Sequence, residues 1–374
     1  MRARLQTRQT SILTLATDAV LLHALSVSSK DDSLLWAARR RNNAAIAGLR
    51  SSLHTLRDNA SDEMLLTTDA LGFFDAGSST AWRHHANGLA ALIRARGPRI
   101  YDTLGVLLHA PVLQLLMDAL LWRGPFVFGE AQWLGAMLPT CQTRMNRLLC
   151  LGCRVPDVVK RTERYLSEDE SVREESDFDS LMDSLVALER SLQAWLSDWY
   201  LVEFQDNAPY TVTVTTAHTE PVNINLPTLL SPPPLPSTNT FPSLREAFAH
   251  NIFWTLLLII RQAQHQLHTS FPSARDIGSG FAAQQTAANA TLAADALVRT
   301  VPFILRNVAS IPGGLACSAG PLVVAGRWYA VCDGEEERQC KEWCEEMVEV
   351  LTEAGERPAG WITRSCAAWI TAAL

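Results

Sequence analysis

Residues 82–99, WRHHANGLAALIRARGPR, decide how the rest of the chain is read. Placed on a helix, Trp82, His85, Leu89, Leu92 and Ile93 fall on one face, since positions three and four apart are neighbours there. Gly97-Pro98 then supplies a stop: glycine accepts the left-handed cap, and proline cannot continue the hydrogen-bond ladder. The stretch predicts an amphipathic helix from about Ala81 to Arg96. A second stretch, GPLVVAGR at 320–327, lies in a segment whose spacing predicts a helix over Leu322–Val331.

The same period extends outward from 82–99. Leu35, Ala38, Ala45, Leu49, Leu53 and Leu56 form one stripe, with Arg39, Arg41 and Arg50 off it. Ser61 before Asp62 and Glu63 is an N-cap followed by acids at the positive helix end. It opens a helix carrying Leu66, Ala70, Phe73 and Phe74. Ala110–Trp122 follows, stopped by Gly124-Pro125. Trp133–Cys150 is helical with a boundary or kink at Pro139, and Met182–Trp199 is long and amphipathic. Further helices are expected over Leu244–Leu267, Phe281–Thr300, Glu335–Glu353 and Trp361–Ala373. TVTVTT at 211–216 is the one strand candidate. The fold class is therefore all-α, an irregular, solenoid-like helical bundle. The eleven tryptophans, spread over almost every helix, are expected to anchor the core.

Four segments set the organisation: a basic tail over 1–14, a helical domain over 15–374, an acidic loop at 167–179 (SEDESVREESDFD) and a proline-rich linker at 207–243. The 374 residues are 48% hydrophobic and carry a net charge of −7. That balance opposes nonspecific attraction to phosphate backbones. The longest apolar run, Ile252 to Ile260, is far short of the roughly 20 residues a bilayer span needs. No membrane is expected. The start MRARLQTRQT lacks a leader-type apolar stretch.

The eight cysteines are Cys141, Cys150, Cys153, Cys317, Cys332, Cys340, Cys344 and Cys366. With no leader, reduced thiols are expected. Cys150 and Cys153 form a CxxC pair with no second pair at zinc-site spacing. Their plain reading is small buried apolar side chains. His265 and His268, three apart, lack a carboxylate companion. No phosphate loop, nucleophile elbow or dinucleotide fingerprint occurs. No metal or cofactor is expected. The acid–base candidates are His84, His85, Arg94 and Arg96, on or near the 82–99 helix, since histidine titrates near neutral pH and arginine can polarise a carbonyl.

Six segments together resemble a known family. They are LLHALSV (21–27), WAARRRNNAAIAGLR (36–50), SDEMLLTTDALGFFDA (61–76), WRHHANGLAALIRARGP (82–98), NIFWTLLLIIRQAQHQL (251–267) and GPLVVAGRWYAVC (320–332). In order and spacing they resemble the fungal-specific transcription factor domain, the regulatory region downstream of six-cysteine binuclear zinc clusters. The resemblance implies an all-helical body that controls activation, binds effectors or contacts coregulators, in the nucleus or the cytoplasm. It transfers no catalytic motif. Residues 1–140 hold no cysteine, so no zinc cluster stands in them. Direct DNA binding is not expected. The expected partners are a regulator or coregulator and a small-molecule effector, with a role in secondary metabolism. The alternative is a pathway enzyme on the same fold, acting on a small metabolite by acid–base chemistry.

Overall fold

The computed structural model describes residues 11–353 except 30, 56–60, 75–78, 125, 142, 170–172, 204–209, 215–232, 271–277 and 309–315. The chain is all-α, with one two-stranded antiparallel stem among the described residues. It divides into two compact units, Met1–Leu104 and Gly105–Leu374, a boundary the sequence reading did not draw. Residues 1–104 hold 13 Lys/Arg against nine Asp/Glu, a net +4, and the remainder holds 19 against 30, a net −11.

The first unit is built from α1 (Ile12–Ser29), α2 (Asp32–Thr55), α3 (Asp62–Phe74), α4 (Ser79–Arg96) and α5 (Ile100–Leu104). α1 and α2 form an antiparallel hairpin, with Ile12 against Gly48 and Asp18 3.8 Å from Arg41. A Cβ on Gly48 would meet Ile12 Cγ2 at 2.5 Å, so that crossing requires glycine. Ala16, Ala45, Leu49, Met64 and Leu71 make the core, with Leu92 of α4 packed against it. Hydrophobic burial of this interdigitated kind is the main stabilising term. Ser61 caps α3 through the Met64 N–H, as its sequence position predicts.

The second unit contains α6 (His109–Trp122), α7 (Ala131–Met137), α8 (Arg144–Gly152), α9 (Val155–Ser167), α10 (Glu175–Glu203), α11 (Leu244–Ser270), α12 (Gly278–Val308), α13 (Ala316–Tyr329) and α14 (Glu335–Glu353). α11 is its axis. Every residue from Phe253 to Ile260 is buried, and α8, α9, α10, α12 and α13 pack around it. A helix apolar on all sides can only be stable when surrounded. Its start is a capping box: the Ser243 hydroxyl accepts from the Glu246 N–H and donates to the Glu246 carboxylate. Residues 281–307 of α12 are long and apolar enough to cross a membrane by length and composition, and half of its most apolar 18-residue stretch is buried within the protein.

The Trp133–Cys150 segment has its expected boundary at Pro139: it is two helices, α7 and α8, separated by a 3-10 turn at Leu138–Thr140. Two expectations change. The acidic loop is helical from Glu175, because Glu175 and Asp177 sit where the helix dipole favours negative charge. Trp36 is 70% exposed rather than a core anchor. Trp122, Trp133, Trp195, Trp199, Trp254, Trp328 and Trp343 are buried as expected. The side chain of Trp82 and the Trp361–Ala373 helix lie outside the described residues. The linker contributes β1 (Thr211–Val214) and β2 (Ser237–Thr240), paired Thr211 with Thr240.

Candidate functional site

α4 presents Ala86, Leu89, Ala90 and Ile93 to the first unit's interior. His84 and Arg94 are exposed on the opposite side, and His85 is half-buried. Arg96 reaches back to α3, with Nη2 2.6 Å from the Asp62 carboxylate. Gly97 then ends the helix at φ +72°, donating to Ile93. Ten and eleven residues separate His84 from Arg94 and His85 from Arg96. At 1.5 Å per residue each pair is about 15 Å apart along the axis. Proton transfer needs hydrogen-bond reach, so α4 does not bring the four together as one acid–base set. Sequence reasoning passed over Asp69 on α3. Burial in this unit raises its carboxyl from 3.8 to about 7.

The second motif lies in α13 and closes the other unit. A Cβ on Gly320 would stand 3.0 Å from Met117 of α6, and one on Gly326 would stand 3.4 Å from Cys344 of α14. These glycines let three helices approach closely. Arg327 donates to the Leu121 carbonyl at 3.3 and 3.4 Å and lies 5.9 Å over the Trp122 ring. Arg123, in the left-handed conformation at φ 57°, caps the same end of α6. It donates to the Leu120 carbonyl and pairs with Glu163 at 2.6 Å. Two guanidinium groups thus meet the negative end of one helix dipole. Next to them Trp328 donates to Thr291 at 3.0 Å, and the Tyr329 hydroxyl donates to Asp295 at 2.7 Å. Burial is the main cause that raises both Asp295 and Tyr329.

The cysteines divide differently from the sequence expectation. Cys150 Sγ lies against Cys141 Sγ, across the turn that starts α8, and not against Cys153. Cys153, Cys340 and Cys344 are free and buried, and Cys332 is free and half-buried. Burial pushes Cys332 and Cys340 up to about 11 and raises Cys153 and Cys344 further, so none is a ready thiolate near neutral pH. Among the described residues no three His, Cys, Asp or Glu side chains could hold a metal. His265 contacts the Ala283 carbonyl and Trp328, while His268 contacts Phe178.

Two further features stand out in the second unit. An open groove of about 270 Å³ between α9 and α10 is lined by Arg161, Arg164, Tyr165, Glu168, Asp177 and Leu181, with Ser180. The other is His250, fully buried on α11 and ringed by Trp199, Tyr210, Phe241 and Trp254, with centroids 4.5 to 5.7 Å away. Trp195 extends the cluster by stacking on Phe253 at 5.7 Å. These rings come from α10, α11 and the two ends of the strand stem. Their sequence separations hide the cluster from any local motif.

No protein-family model matches the chain, and no solved structure matches it. It is similar to an uncharacterized protein of Emericella nidulans, 28% identical over 149 residues, which is 35% of this chain and 32% of that protein. The chain thus spans about a third of that relative's length. The relative's name carries no activity.

Proposed function

We propose that this chain is a fungal transcription-factor-like regulatory protein that works through a protein partner and a small effector, not through its own DNA reader. One observation carries the reading. Each of the six family-like segments lies largely on a helix: 21–27 on α1, 36–50 on α2, 62–74 of the third on α3, 82–96 of the fourth on α4, 251–267 on α11 and 320–329 of the sixth on α13. The chemistry of the two motifs agrees with it. Arg96, which ends the first motif's helix, and Arg327, which ends the second motif, are occupied with tying helix ends. A net charge of −11 over residues 105–374 favours protein contacts over phosphate contacts. The nucleus and a role in secondary metabolism belong to the same reading.

Tethering tests it directly. The whole chain, fused to an unrelated DNA-binding domain, is expected to change output from a reporter carrying that domain's site by severalfold. The purified chain alone is expected to leave promoter DNA unshifted in a gel. An unchanged reporter, or a specific shift by the chain alone, overturns the proposal.

A further inference from the structure

We propose that His250 is a proton-operated latch that holds the β1–β2 stem against α11 while neutral and releases it when protonated. The inference stands apart from the regulatory reading and needs no partner.

Among the described residues the stem has two attachments. Asn239 of β2, 2% exposed, donates to the Thr300 hydroxyl at 3.1 Å and to the Ala296 carbonyl at 3.3 Å, fixing the strand to α12. At the stem's base, Tyr210 precedes β1 and Phe241 follows β2. Their rings close over His250 and Trp254, with Tyr210 5.5 Å from Trp254 and 5.4 Å from Phe241. His250 sits in the middle of that closure.

The imidazole is half-satisfied. Nδ1 lies 2.9 Å from the Glu246 carbonyl, so Nδ1–H donates to it. Nε2 is buried with no hydrogen-bond partner. In the neutral ring this is an unused lone pair, which costs little among aromatic edges. A proton there becomes a buried donor and a full charge with no acceptor, and that costs several times more.

The counter-charge that acts on it is the Glu246 carboxylate, which is on the same helix and is engaged by Ser243. α10 offers Trp199, the stem offers the Tyr210 phenol and Phe241, and α12 offers Phe303 behind Phe241. Arg144 of α8 lies 5.9 Å over the Trp199 ring and adds positive charge. Aromatic faces attract a cation, but burial outweighs them here. Desolvation lowers His250 from 6.5 to about 4, against smaller raising effects from the Glu246 carbonyl and carboxylate. The way to accept the proton at higher pH is to part the rings and admit water. The sign follows from the lowered value: the latch is closed above the exposed value of 6.5 and weakens as pH falls toward about 4.

Hydrogen exchange on the whole chain tests this, with rates corrected for intrinsic pH dependence. Between pH 7.5 and 5 the opening equilibrium of amides 211–214 and 237–240 is expected to rise about thirtyfold, while amides of α6 and α13 stay protected. His250→Phe, which fills the ring with a group that cannot titrate, is expected to make the stem insensitive to pH. His250→Gln, polar but also non-titrating, gives the same readout should the phenylalanine variant not fold. Three results overturn the latch: a flat wild-type stem, a pH response retained in either variant, or a rise shared equally by α6 and α13.

Discussion

Each unit of the molecule spends an arginine at the end of its motif helix, but the two arginines do different work. In the first unit Arg96 meets a carboxylate at the start of α3, where the side chains remain 25% and 41% exposed. In the second, Arg327 meets the Leu121 carbonyl in the last turn of α6 and lies over Trp122, itself 8% exposed. The first contact is an ion pair in competition with water. The second satisfies a backbone acceptor that has no intrahelical donor. The units also answer pH in opposite directions. Asp69 in the first is most at ease protonated, and His250 in the second is most at ease neutral. Residues of similar appearance in sequence thus differ in consequence by how far water is excluded around them.

The largest expected effect breaks the pH half of this contrast. Asp69 has a folded value of about 7 against an ordinary 3.8. Its contribution is therefore present below about 4 and lost as pH rises through about 7, amounting to at most about 4 kcal/mol. Asp69→Asn is expected to stabilise residues 1–104 at pH 8.5 by up to that amount and to change little at pH 4. Unit-resolved hydrogen exchange is the proper measure, since two units need not unfold as one. A variant equal to wild type at both pH values would remove Asp69 from the comparison.

Arg327→Met keeps the aliphatic stem and deletes the donors to Leu121. A loss of about 1.5–3 kcal/mol is expected in the second unit, the range for hydrogen bonds from charged groups, with α6 and α13 amides exchanging faster together. Arg96→Met is expected to cost the first unit only about 0.5–1 kcal/mol, and less in high salt, because its partner is exposed. Equal losses for the two arginines in denaturant titrations would erase the distinction drawn between them. Smallest is the pair His84→Ala and Arg94→Ala. Both lie on the exposed side of α4 and are expected to shift stability by under about 0.5 kcal/mol. Loss of any reporter response in those variants would turn that face of α4 into a contact surface.

Much of the helical order was legible, because it rests on local chemistry. Gly97-Pro98 ends α4 and Ser61 starts α3 where their residue types require it. The helix α9 escaped notice because Lys160, Arg161, Glu163 and Arg164 interrupt its stripe. Its buried face is Val155, Val158, Val159, Thr162 and Tyr165, which has helical spacing once isolated. β2 reads STNT, in which Asn239 offsets the strand preference of the two threonines; pairing with β1 and the Asn239 anchor supply the rest. The sites were less legible for a different reason. Arg327 acts on a carbonyl 206 residues away, and the His250 cluster draws on residues from 199 to 254. Distances of that kind exist only after folding. The motif histidines, by contrast, gained prominence from being adjacent in sequence, which on a helix points them in different directions.

The division of charge between the units has a consequence in an electric field. Net charges of +4 and −11 are joined in one chain at residues 104 and 105. The intact protein migrates toward the anode near neutral pH on its overall −7. After a cut at that junction, a separated 1–104 piece would carry +4 and a separated 105–374 piece −11, so once apart the two would move toward opposite electrodes.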